Sequence, residues 1–372
     1  MLQKTFATGI LLSSFMAAYT QDLTKLTDPS SPSQTNEISA PPDKVPALTF
    51  SGSADVYYRF DFAKSRFNNL TSFTNSHNSF ELGMASAKLE YKTGKVSMVA
   101  DLGFGKRATE FSYNDNGIAA AIKQLYITYS PADWIKFTGG SFATHVGYEL
   151  VDPQLNRNYS MSYMFTNGPF FHTGVKSDLT FGKHGFMIGL ANPTDLKAVP
   201  DGVINKKFLL AQYSLAFNDN TKLYFNYVGG KSPDTSRSDQ FDLVVTSKLG
   251  DKFGIGYNGT VASVHQWDGA KNAGGQSWWG SALYLNYDPK DWLGLTLRGE
   301  YFNDDNQLKM FGAASEGGNI FATTLSANFK INSLIIIPEI RVDRASDKIF
   351  SNKNGSPSAS AGSFLVAAVY PF

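Results

Sequence analysis

The 372-residue chain contains no cysteine. A disulfide framework and a thiolate metal site are therefore excluded. An excess of charge is also missing. Lysine and arginine number 33 against 32 aspartates and glutamates, a formal net charge of +1. A nucleic-acid partner needs a strong basic field, so none is expected. Charged residues make up only 17% of the chain. Beyond the first twenty residues, no run approaches the ~18 apolar residues of a spanning helix. Helical periodicity is equally scarce, which argues against a helical core.

Aromatic residues are abundant. The chain has 29 Phe, 18 Tyr and 33 Gly, and its apolar residues are scattered singly. The first twenty residues read as an export signal. Lys4 gives the positive start, and "FATGILLSSFMAAY" gives an apolar core too short to span. Ala18 and Thr20 are small enough to flank a cleavage site, leaving Gln21 as the mature start. Residues 21–46 are rich in Pro, Ser, Thr and Asp and read as a disordered periplasmic linker.

From Ala47 onward, strand patterns follow one another. Sixteen are expected: 48–61, 80–92, 95–106, 118–130, 134–144, 170–181, 185–192, 206–217, 221–229, 238–249, 252–265, 276–288, 291–303, 320–330, 333–344 and 362–372. A count of fourteen or eighteen stays open at this stage. Short turns such as "KTGK", "SPAD", "GKHG", "NDN" and "PKD" alternate with long connections along the whole chain. A soluble sandwich, the ordinary all-β alternative, has no reason to keep its short turns at one end. A transmembrane antiparallel up-and-down β-barrel, with short periplasmic turns and long external loops, does.

Period-two parity assigns two faces. In 48–61, Phe50, Val56, Tyr58 and Phe60 oppose Asp55, Tyr57, Arg59 and Asp61. In 333–344, Leu334, Ile336, Ile340 and Val342 oppose Glu339, Arg341 and Asp343. A lipid-facing Arg or Lys at the midplane costs about 2–4 kcal/mol, so the charged face must see water. Two residues break the rule. Lys123 and Glu81 fall on the apolar parity, near loop ends where the cost is smaller and long side chains snorkel. Phe50, Tyr91, Tyr129, Phe181, Phe186, Phe217, Phe253, Tyr287, Phe329 and Phe372 form an aromatic girdle next to the short turns. The last strand pairs with the first to close the barrel.

Two segments, 147–176 ("GYELVDPQLNRNYSMSYMFTNGPFFHTGVK") and 274–305, resemble the OmpL-like beta-barrel porin family. The matching residues of the first are Gly147, Glu149, Asn158, Ser160, Tyr163, Pro169, Thr173 and Gly174. The resemblance covers about residues 47–372. It implies an outer-membrane porin of a Gram-negative bacterium, general or weakly selective. The terminal Tyr-x-Phe resembles the signal read by the barrel assembly machinery, which makes Phe372 a contact for that partner.

Sixteen strands leave a barrel wide enough for an aqueous channel. Passive diffusion of small hydrophilic solutes, sugars or ions, is the expected function, with no metal and no cofactor. Outer-membrane lipid is the expected surrounding, and a homotrimer is an assembly such barrels often form. The expected pore-lining charges are Asp55, Arg59, Asp61, Lys88, Glu90, Asp101, Lys136, Lys176, Asp178, Asp242, Lys248, Arg298, Glu300, Glu339, Arg341 and Asp343. Neither sign dominates, so strong ion selectivity is not expected. Loop 145–169 is the candidate constriction, through Glu149, Asp152 and Arg157, against a solvated external loop. Inward Tyr57, Tyr126, Tyr224, Trp278 and Tyr284 suit either a carbohydrate slide or ordinary filler. "GFGK" at 103–106 reads as a strand end with no helix after it. The alternatives are an adhesive barrel acting through its loops, or a rim hydrolase using His172 with Ser177 or Ser214. No catalytic constellation is otherwise legible, and no enzyme is expected.

Overall fold

The computed structural model describes residues 47–201, 206–232, 236–267, 269–271, 273–314 and 316–372. The expected signal over 1–20 and linker over 21–46 lie outside the described residues. Sixteen antiparallel strands close into one barrel. They are β1 (Ala47–Asp61), β2 (Ser79–Thr93), β3 (Val96–Phe104), β4 (Ile122–Ala132), β5 (Ile135–Ala143), β6 (Phe171–Phe181), β7 (His184–Ala191) and β8 (Phe208–Ala216). The second half comprises β9 (Thr221–Lys231), β10 (Arg237–Leu249), β11 (Phe253–His265), β12 (Gln276–Lys290), β13 (Leu293–Asp304), β14 (Gly318–Ile331), β15 (Leu334–Ala345) and β16 (Ser360–Pro371).

Each strand pairs with its sequence neighbours, and β1 pairs with β16 from Ser53↔Pro371 to Asp61↔Ser363. Gly52 and Phe372 extend this ladder by exchanging both backbone hydrogen bonds at 2.9 Å. Closure satisfies the backbone polar groups that hydrocarbon could not. Among the described residues no helix is long and apolar enough to cross a membrane; the strands do so. Their outer face is apolar. Phe50, Val56, Leu82, Leu125, Ile127, Val175, Phe241 and Leu325 are all exposed, as are the girdle aromatics Phe181, Phe217, Phe253 and Phe372.

Two β-bulges correct the parity reading. The β1–β2 register slips between Ala54 and Val56, so Phe80 and Leu82 face out and Glu81 lies opposite inward Tyr57. The β3–β4 register slips at Asp101/Leu102. Lys123 thereby turns inward and is 1% exposed, ion-paired with Asp101 at 3.1 Å. An extra residue in one strand reverses the face of everything beyond it. Lys123 and Glu81 therefore do not snorkel to an interface.

The long loops gather at one end. Contrary to the sequence reading, a short helix, α1 (Lys106–Phe111), follows the β3 end at Gly105, whose φ is +115°. A second, α2 (Tyr163–Asn167), lies in the loop between β5 and β6 and is capped by the Ser162 hydroxyl, which accepts from the Phe165 N–H at 3.0 Å. The buried cores are therefore inside the barrel. One joins Tyr148, Tyr163 and Met164 of this loop to Trp278, Tyr284 and Phe302 of the wall. Another stacks Phe73, Phe111, Phe165 and Phe170 from three loops on Phe171 of β6.

Candidate functional site

The β5–β6 loop, residues 144–170, lies in the lumen, and the inward charges of the wall hold its backbone. Glu339 on β15 accepts the Tyr159 N–H at 2.8 Å and the Ser160 N–H at 3.2 Å. Glu300 on β13 accepts the Tyr163 and Met164 N–H groups, both at 2.9 Å. Asp242 on β10 accepts the Gly147 N–H at 3.0 Å. Gly147 has φ +94°, a conformation glycine adopts without penalty. Arginines serve the carbonyls. Arg298 donates to Ser160 O at 2.8 Å, and Arg341 to Met161 O at 2.6 Å. Buried loop backbone needs such partners for every polar group, and charged partners make the stronger bonds.

Side chains complete the docking. Glu149 pairs with Arg298 at 2.5 Å, accepts the Ser162 N–H at 2.7 Å and accepts the Tyr284 hydroxyl at 3.2 Å. Asp152 takes Lys123 at 2.5 Å. Arg157 makes a fork to Asp288 on β12, at 2.5 and 3.0 Å, and donates to the Thr296 hydroxyl at 2.8 Å. Those two wall residues sit near the short-turn end, so the loop reaches deep. Tyr163 donates its hydroxyl to Asp343 at 3.0 Å. Tyr159 donates its own to Asp55. Gly83 sits under that contact, where an added Cβ would strike both Asp55 and Tyr159. Arg107 of α1 is fully buried between the rings of Phe73 and Tyr159, 4.9 and 4.7 Å from their centroids.

All three expected constriction residues, Glu149, Asp152 and Arg157, thus lie in the lumen, bonded to the wall. The expected pore-lining charges divide into two groups. Asp55, Arg59, Asp61, Asp101, Asp242, Arg298, Glu300, Glu339, Arg341 and Asp343 face inward but are 5% exposed or less. Loops cover them, so they act on protein groups and not on passing water. Lys88, Glu90, Lys136, Lys176 and Asp178 keep more of their surface or pair along the wall, and Lys248 is exposed. Tyr57, Trp278 and Tyr284 are platforms for packing. Tyr57 lies against Tyr159 and Tyr284 against Tyr148, with centroids 5.4 and 4.1 Å apart. They offer no sugar-stacking face.

The pairs expected for a rim hydrolase do not assemble. His172 is buried and hydrogen-bonds the Thr144 hydroxyl at 3.2 Å. Ser177 lies five residues along the same strand on the opposite face, and Ser214 pairs with Gly185 on β7. The residues sequence reasoning missed are Lys123, Arg107 and Tyr159. Lys123 was hidden by the bulge. The other two carry no local signal, because their partners come from distant strands.

The residues that dock the loop, Gly147, Glu149, Asn158, Ser160 and Tyr163, are among those through which the chain resembles a known family. The family model described as "Putative beta-barrel porin-2, OmpL-like" matches residues 47–372. The chain belongs to this porin family. It is accordingly an outer-membrane barrel of the Gram-negative porin class. No curated protein matches it by sequence. Among solved structures, the anion-selective porin from Comamonas acidovorans is similar, with a TM-score of 0.61 at 10% identity over 88% of this chain and 100% of that one. The outer membrane channel DcaP of Acinetobacter baumannii gives 0.59 at 10%, covering 88% and 97%. OmpT of Vibrio cholerae in a trimer form gives 0.58 at 12%, covering 88% and 100%. At these identities the likeness is one of fold.

Proposed function

We propose that this porin passes small hydrophilic solutes by diffusion, with the docked loop 144–170 narrowing its lumen. The observation that carries this reading is the loop itself. A segment held by charged groups of β1, β4, β10, β12, β13 and β15 cannot be an external ornament. Asn158 and Asn328 add a β14 contact, bonding the Ser326 hydroxyl at 2.7 Å and Arg157 O at 2.8 Å. Glu149, Asp152 and Arg157 fix the loop by their pairs, and the passage runs beside it. No cofactor enters this mechanism.

Purified protein in planar bilayers should give discrete conductance steps, and liposomes carrying it should swell in small sugars more slowly as sugar size increases. A closed, heat-modifiable barrel that gives neither would sink the reading. Three companion proposals follow from the same class. Export removes the first twenty residues, so the mature chain begins at Gln21, readable by N-terminal sequencing. Phe372 is read by the barrel assembly machinery, and the apolar band meets outer-membrane lipid. The barrel forms a homotrimer, as the trimer form of the Vibrio cholerae protein suggests, which cross-linking in the membrane would detect.

A further inference from the structure

The wall charges have no dominant sign when counted together, but burial separates them by height. The carboxylates of the loop end, among them Asp55, Asp61, Glu300, Glu339 and Asp343, are covered and committed to loop groups or arginines. They are lost to anything in the channel water. The short-turn end is different. Inward parity places Lys88 on β2, Lys136 on β5, Lys176 on β6, Lys222 on β9, Lys248 on β10 and Lys330 on β14. Lys136, Lys222, Lys248 and Lys330 each stand one residue from the end of their strand.

Few acids share that level, and each is already matched. Glu90 pairs with Lys88 at 3.3 Å. Asp178 is shared by two cations, Lys136 at 3.6 Å and Lys176 at 3.5 Å. Asp288 is taken by Arg157. Lys222 and Lys330 make no ion pair among the described residues. The short-turn end itself is balanced, with Asp133, Asp219, Asp251 and Asp291 against Lys95, Lys183, Lys252 and Lys290. Lysines therefore outnumber acids on the inward wall at this mouth, although the chain as a whole is nearly neutral.

We propose that the passage prefers small anions, inorganic or carboxylate, over cations, with the lysines of the short-turn mouth setting the preference. A charged ring with low-dielectric walls concentrates ions of opposite sign, and rings of lysine or arginine serve anion-conducting pores. The inference rests on the diffusion reading above and specifies its solutes.

The test is the reversal potential in planar bilayers under a potassium chloride gradient near 0.1 M. Wild type should reverse toward the chloride potential, with chloride several-fold more permeant than potassium. Acetate in place of chloride should keep the sign. The triple variant Lys136→Gln, Lys222→Gln, Lys330→Gln should bring the ratio close to unity, while heat-modifiable migration reports that its barrel is closed. In 1 M salt the wild-type preference should fade, because the screening length falls to about 3 Å. Conductance with a potassium preference, or a triple variant as selective as wild type, overturns the anion proposal and leaves the porin reading standing. Absence of conductance in a closed wild-type barrel overturns the porin reading itself, and this proposal with it.

Discussion

Glu339 shows how much one wall residue does. Its two oxygens accept the Tyr159 and Ser160 amides and the Ser326 hydroxyl. Replacing it by alanine strands two buried N–H groups, at about 1–3 kcal/mol each. The expected outcome for Glu339→Ala is faster hydrogen exchange and protease cutting within 144–170, with the closed barrel retained; an unchanged loop would contradict the docking. Asp195 offers a second residue-scale test. It lies in the loop after β7 and accepts the Phe170 and Phe171 amides at 2.7 and 3.0 Å and the Tyr113 hydroxyl at 3.0 Å. Burial raises its pKa to about 6, against the pull of those three donors. A raised carboxyl binds its proton more readily in the closed state. The stabilisation is complete below the ordinary value of 3.8 and is lost as pH rises through about 6. Protection of the Phe170 and Phe171 amides, corrected for intrinsic rates, should therefore fall between pH 4 and 7, by an amount on the order of 2 kcal/mol. Asp195→Asn should flatten that dependence.

Among the elements, the strands were legible and the loop's path was not. Strand positions follow from period two and from turn chemistry, both local. The segment 134–144 lies within a residue of β5, and 276–288 begins where β12 does. Glu149 and Arg157 are different. Their residue types flagged them, but their partners Arg298 and Asp288 lie more than a hundred residues away, and no spacing encodes such a pairing. Bulges were illegible for a related reason. One extra residue in β3–β4 is invisible in the pattern yet decides whether Lys123 meets lipid or Asp101 and Asp152. That consequence can be measured. Lys123→Ala leaves buried Asp101 and half-buried Asp152 without their cation, which costs about 3–5 kcal/mol. The temperature at which the folded band disappears on gels should drop, whereas Lys95→Ala, in an exposed turn, should leave it unchanged.

At the scale of the whole molecule, charge is arranged by position and not by total. Acids cluster where the loop is anchored, and lysines with few acids beside them where the lumen opens at the short turns. The girdle and the terminal residue belong to the same order. Phe372 lies on the outer face, its ring 5.9 Å from that of Phe50. Phe372→Ala should reduce the yield of heat-resistant barrel in the outer membrane more than it lowers the melting temperature of the barrel that does assemble, since the ring is half exposed once there. Equal losses in both would assign it a purely packing role.

The ladder between Ser53 and Pro371 has a kinetic consequence. Its two members belong to strands separated by the other fourteen, so the seam cannot be zipped until all of those have been made and laid side by side. Until then the first strand carries an unpaired margin. Closing the cylinder is therefore the pairing of greatest sequence separation in the barrel, slow beside the neighbour-to-neighbour hairpins that precede it.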